Sequence, residues 1–142
     1  MMLLAPRVEE VILEDAKRRA PEEACGVVAG RVRGSFKLAL AAIPCANASV
    51  APEVEYEIPP EELLRAAEQI EAEGLEVVGF YHSHPFGSPV PSGIDQSRAA
   101  WEGASYLIAT PEGELASWLW DGKKFIREGC ILLLSLPCHP VP

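Results

Sequence analysis

The run LEVVGFYHSHP, residues 75–85, does more than any other segment to limit how this chain can fold. It is nearly unbroken apolar sequence as far as Tyr81 and follows a helical stretch that stops at Gly74, which marks a strand buried on both faces and therefore central in a sheet. Pro85 cannot donate a ladder hydrogen bond, so the strand ends there. A strand of this kind needs neighbours on both edges and cover on both faces.

The flanking segments supply them. From Pro6 to Ala20, Val8, Val11, Ile12 and Ala16 recur at helical spacing, with Glu9 and Glu10 early and Lys17, Arg18 and Arg19 late, as the helix dipole favours. CGVVAGRV and SFKLALAAI flank the turn residues RGS and predict an antiparallel hairpin, and VEYEI predicts a short edge strand. PPEELLRAAEQIEAEG opens on prolines and acids and repeats Leu63, Leu64, Ala67 and Ile70, so it predicts a second helix. SGIDQSRAAWEGA predicts a third. SYLIAT, ELASWLW and KFIREGCILLLSL, joined by PEG and DG, predict a meander of strands. The sum is a single α/β domain over residues 1–136, a central mixed sheet with helices packed on it, followed by a short tail, 137–142.

With 142 residues, 49% of them hydrophobic, one such domain can bury a core without staples. A net charge of −9 with dispersed basic residues argues against nucleic acid as a partner. No run approaches the roughly 18 apolar residues of a membrane span, and MMLLAPRVEE lacks the basic flank and length of a signal peptide. Cys25, Cys45, Cys130 and Cys138 form no CxxC pair and are expected as reduced, mostly buried thiols. The expected location is the cytoplasm.

Residues two apart on a strand share a face, so His82 and His84 project together and Ser83 points away. The loop FGSPVP then leads to Ser92 and Asp95, which match the [ST]-x-x-[DE] helix-start signature and are explained by a capping box alone. Two imidazoles and a carboxylate also make three ligands for one metal ion, and zinc held by three protein ligands keeps a fourth position open for chemistry. A proton acceptor is then needed, and the acids in an apolar setting are Glu22 and Glu23 of PEEACGVV; periodicity does not choose between them. Phe86, Trp101 and Trp118 are expected in the core by burial preference. Cys138 and His139 in the tail carry no assigned role.

The segment His82-Ser83-His84-Pro85, six further residues, then Ser92-Gly93-Ile94-Asp95, resembles the H-[ST]-H-P-x(6)-S-x-x-D signature of JAMM/MPN-domain zinc isopeptidases without a gap. Glu23-Ala24-Cys25-Gly26 is similar to that family's E-x-x-G motif. The order of elements agrees over most of residues 7 to 120. The resemblance implies a cytidine-deaminase-like α/β architecture and Zn2+ held by His82, His84 and Asp95. It also implies Glu23 as general base and Ser92 as a donor to the oxyanion. The implied reaction is hydrolysis of an amide bond after the C-terminal diglycine of a ubiquitin-like or sulfur-carrier protein, its tail lying beside the sheet by strand addition. The chain is short, without room for long insertions, like free-standing prokaryotic members of the CysO-cysteine peptidase type. The alternatives are a catalytically silent MPN scaffold and a zinc amidase acting on small peptides. An oligomer is compatible with either.

Overall fold

A computed structural model describes residues 1–134. The elements in chain order are β1 (Met2–Leu4), α1 (Pro6–Arg19), β2 (Cys25–Arg33), β3 (Phe36–Cys45), α2 (Pro60–Ala72) and β4 (Glu76–Ser83). They are followed by α3 (Gly93–Arg98), β5 (Ser105–Ala109), β6 (Leu115–Trp120), β7 (Phe125–Glu128) and β8 (Cys130–Leu132). One mixed sheet runs β7-β6-β5-β4-β2-β3-β1-β8, so the histidine strand β4 is central, antiparallel to β2 and parallel to β5.

Helices cover both faces of this sheet, as alternation along the strands dictates. α1 lays Val8, Ile12 and Ala16 against Val28, Val78, Tyr81 and Leu107. α2 presses Ala66 and Ile70 on Val27, Phe80 and Tyr106. Val27 and Val28, neighbours on β2, thus serve opposite layers. Burying each of the larger aliphatic side chains contributes about 1.5–3 kcal/mol. Tyr81 is sealed in the first layer, its hydroxyl donating to Asp15 at 2.7 Å, and Asp15 is also paired with Arg18 and Arg19.

Several sequence expectations are corrected. MLL at the N-terminus, to which the sequence pattern assigns no element, is a strand, β1, inserted between β3 and β8. VEYEI is no strand: its backbone is fastened by Asn47, whose amide donates to the Glu55 carbonyl and whose Oδ1 accepts from the Glu57 N–H. On α2, Leu64 faces solvent at 60% exposure, and Leu63 joins Ala66 and Ile70 inside. The third helix is six residues long, because Ala99 is already extended at φ −63°, ψ 129°. KFIREGCILLLSL is two strands separated at Gly129, lying at opposite edges of the sheet. Since a single residue joins those edges, the sheet curls until they meet. The curl encloses a polar chain in which Lys37 donates to Ser105, while Ser105 and Ser117 both donate to Glu128. The proposed boundary at 136/137 and the pair Cys138-His139 lie outside the described residues.

Candidate metal centre

The site assembles where the C-terminal end of β4 meets the start of β2 and the start of α3. β4 ends with His82 and Ser83 fully buried and His84 just beyond, its N–H still bonded to the Ala109 carbonyl at 2.8 Å. Ser83 points to the opposite side, as alternation requires, and its hydroxyl accepts from the Ala24 N–H at 2.7 Å while its own N–H donates to the Ala24 carbonyl. That clamp sets Glu23 beside the histidines. The strand β2 can approach closely because Gly26 has no side chain: a Cβ there would stand 2.3 Å from the Ile43 carbonyl and 2.3 Å from the Tyr81 ring.

Ser92 and Asp95 form a complete capping box. The Ser92 hydroxyl accepts from the Asp95 N–H at 3.0 Å, and the Ser92 N–H donates to Asp95 Oδ2 at 2.9 Å. The same Oδ2 lies 3.2 Å from His82 Nε2 and 3.0 Å from His84 Nε2, and the two Nε2 atoms are 3.2 Å apart. Capping and convergence on the histidines therefore coexist, each fixing the carboxylate for the other.

These atoms fit a metal ion. A carbonyl can only accept, so the 2.9 Å contact between His84 Nδ1 and the Ser88 carbonyl puts an imidazole proton on Nδ1, and Nε2, directed at Asp95, is the atom a cation would take in place of a proton. Tetrahedral nitrogen and oxygen ligands at about 2.0–2.1 Å from an ion stand about 3.3 Å from each other, close to the spacings found. Burial disfavours the charged form of His82 and lowers its pKa. For Asp95, burial acts against ionisation but is outweighed by the two histidines and the Ser92 N–H, which hold the carboxyl well below the usual carboxylate range. The arrangement is a carboxylate and two imidazoles ready for a cation.

Glu23 is buried at 4% exposure, whereas Glu22 is exposed. Desolvation, followed by the Asp95 charge, pushes the Glu23 pKa from 4.5 up to about 8. Its Oε1 has no hydrogen-bond partner among the described residues. It lines a cleft with His84, Phe86, Ser92 and Ile94, on one side of the cluster. On the other side, a cavity of about 210 Å³ is bounded by Tyr56, Phe80, His82, Asp95, Arg98 and Trp101 among others.

Residues outside the motifs contribute as well. Tyr56 stacks on His82 with ring centroids 4.6 Å apart, a contact between segments 26 positions apart that no local pattern announces. Asn47 donates to the Glu23 carbonyl at 3.1 Å. Phe86 and Trp101, expected in the core, are 70% and 45% exposed at the mouths of the two hollows, a correction that follows from the early end of α3 and the proline loop. Cys25 and Cys45 are free, buried thiols, and burial pushes Cys25 up to about 12, which makes it inert. No helix among the described residues is long and apolar enough to cross a membrane.

An α/β domain that brings two histidines and a capping aspartate together at the end of its central strand, with a buried acid alongside, has the frame of a metal-dependent hydrolase. The chain belongs to the prokaryotic homologs of the JAB domain, whose family model matches residues 5–121. It is 42% identical over 126 residues to a protein of Haloferax volcanii named desampylase, covering 86% of this chain and 89% of that one. It is 34% identical over 128 residues to a Thermus thermophilus protein named "Probable TtuB-protein conjugate cleaving protease", covering 87% and 80%. A solution structure of a Desulfitobacterium hafniense protein superposes with a TM-score of 0.85 at 29% identity, covering 94% and 93%. The chain is thus a hydrolase of the JAMM type.

Proposed function

We propose that the chain is a zinc-dependent isopeptidase that hydrolyses the amide bond after the C-terminal diglycine of a ubiquitin-like or sulfur-carrier protein. The observation that carries the reading is the approach of a buried acid of raised pKa, Glu23, to the convergent Nε2, Nε2 and Oδ2 atoms of His82, His84 and Asp95. Zinc suits this donor set of two imidazoles and one carboxylate, which leaves a position open for substrate. When bound, the metal supplies a Lewis acid that polarises the scissile carbonyl and acidifies water.

The chain's own groups account for the remaining steps. Glu23 takes the proton of the attacking water at a carboxylate oxygen and gives it to the nitrogen of the leaving amine, a role suited by its buried place in the cleft it shares with His84 and Ser92, where a bound cation favours its carboxylate form. Ser92 Oγ accepts from the Asp95 N–H and keeps its own hydrogen to donate to the oxygen that gains charge. The relatives' names support a protein conjugate as substrate. β4 is paired on both sides, so the substrate tail does not add to the histidine strand. It runs instead past Tyr56, which stacks on His82, toward the cluster. The cytoplasm, where the free thiols Cys25 and Cys45 stay reduced, is the compartment this reading assigns.

The test is to incubate a diglycine-tailed carrier fusion with zinc-loaded wild type and zinc-loaded Glu23→Gln and follow intact mass. Cleavage after the second glycine by wild type alone is the expected result. Equal cleavage by both removes Glu23 from the mechanism, and cleavage by neither removes this substrate class.

A further inference from the structure

Between Pro85 and Ser92 the chain has one hydrogen bond of its own, from the Val90 N–H to the Ser88 carbonyl at 2.8 Å, and is otherwise open: Phe86 and Val90 are 70% and 49% exposed, and Gly87 sits at φ +114°, a conformation open to glycine. Yet the Ser88 carbonyl in this loop is the acceptor that fixes the His84 proton on Nδ1. The loop is tied to the sheet from β6, where the Trp118 indole N–H donates to the Pro89 carbonyl at 2.9 Å. Apart from His84 itself, Trp118 is the only side chain among the described residues that makes a hydrogen bond to residues 85–91. The Arg127 guanidinium lies over the indole face, 5.3 Å from its centroid, and leaves the N–H bond to Pro89 untouched.

We infer that Trp118 is a positioning residue for the metal centre: its N–H holds the loop so that the Ser88 carbonyl meets His84 Nδ1 and His84 Nε2 faces His82 and Asp95. The chain of contacts runs indole N–H to Pro89 carbonyl, one peptide to the Ser88 carbonyl, and from there to the imidazole. A residue 34 positions from His84 on another strand thereby sets which ring nitrogen carries the proton. An imidazole released from this acceptor can place its proton on Nε2 instead, and in that tautomer it cannot ligate through that atom. The inference rests on the reading of the cluster as a metal site, but its first readout does not need a metal.

The experiment replaces Trp118 by Phe and, separately, by 3-benzothienylalanine, which keeps the bicyclic shape with sulfur in place of the N–H. Arg127→Gln is the control that leaves the N–H intact. Ring-nitrogen NMR shifts of labelled histidine report the His84 tautomer in chelator-treated protein, and zinc affinity is measured by competition with a chromogenic chelator. Wild type and Arg127→Gln are expected to keep a proton on His84 Nδ1 throughout, whatever the state of Nε2 beside Asp95. Both Trp118 variants are expected to keep it in only part of the population and to show about tenfold weaker zinc binding, the lower end of what loss of a supporting hydrogen bond costs a ligand. If Trp118→Phe does not fold, the benzothienyl variant decides. Full Nδ1 protonation and wild-type zinc affinity in that variant would overturn the inference, as would an equal loss in Arg127→Gln. A tautomer shift without zinc binding by wild type would leave the positioning role standing and remove the metal reading instead.

Discussion

Replacing Glu23 by Gln should stabilise the metal-free protein while abolishing turnover. Burial raises the Glu23 pKa from 4.5 to about 8, so at neutral pH the folded state must either ionise the acid in an unfavourable place or bind a proton that the unfolded chain does not. The sign follows from the direction of the shift. Below pH 4.5 the carboxyl is protonated in both states and costs nothing; the penalty grows between 4.5 and about 8 and is constant above. At pH 7 the two and a half units above the unfolded value correspond to at most about 3.4 kcal/mol at 1.36 kcal/mol per unit. Water reaching the cleft screens part of this, so a gain of roughly 1.5–2 kcal/mol for Glu23→Gln is expected. Urea unfolding of both proteins at pH 4.5, 7 and 8 with chelator present measures it. The gain should be absent at pH 4.5 and should shrink at pH 7 when zinc is added, because a nearby cation favours the carboxylate. A gain that is the same at pH 4.5 and pH 8, or no gain at any pH, would refute the argument that burial sets the state of this acid.

Three further outcomes follow from the packing. Ser83→Ala removes the acceptor of the buried Ala24 N–H and should cost about 1–3 kcal/mol in urea unfolding, together with a fall in kcat as Glu23 loses its anchor. Gly26→Ala drives a methyl against the Ile43 carbonyl and the Tyr81 ring, and should destabilise by about 3 kcal/mol or leave the chain insoluble; a neutral result would contradict the tight approach of β2 to β4. Asp95→Ala should abolish zinc retention in elemental analysis and weaken α3 by about 1 kcal/mol through loss of half the capping box, whereas Glu23→Gln should keep its zinc.

What the sequence makes legible depends on the range of the contacts involved. α1, the β2–β3 hairpin and the central strand announce themselves because their periodicity and turn residues are local, and the HSHP and SxxD spacing places the three converging side chains for the same reason. The early end of α3 is not legible, since Ala99 and Ala100 are good helix formers, and what draws the chain out of the helix is tertiary: the contact of Trp101 with Phe80 and the backbone bond from Gly103 N–H to the Trp120 carbonyl. The break at Gly129 was equally hidden: a strand that starts at one edge and resumes at the other is a property of the closed sheet, not of the residues beside the glycine. Ser83, Tyr56 and Trp118 act across the fold on partners far along the chain. Glu22 and Glu23 were indistinguishable by pattern, and burial separates them.

Whether His82, His84 and Asp95 hold one zinc ion is decided by anomalous diffraction from a crystal of the zinc-loaded chain, with data on both sides of the zinc edge. One peak per chain is expected, about 2.0–2.1 Å from His82 Nε2, His84 Nε2 and an Asp95 carboxylate oxygen, with Glu23 facing its open side. A peak at other residues, or none at full zinc occupancy in solution, would contradict this assignment.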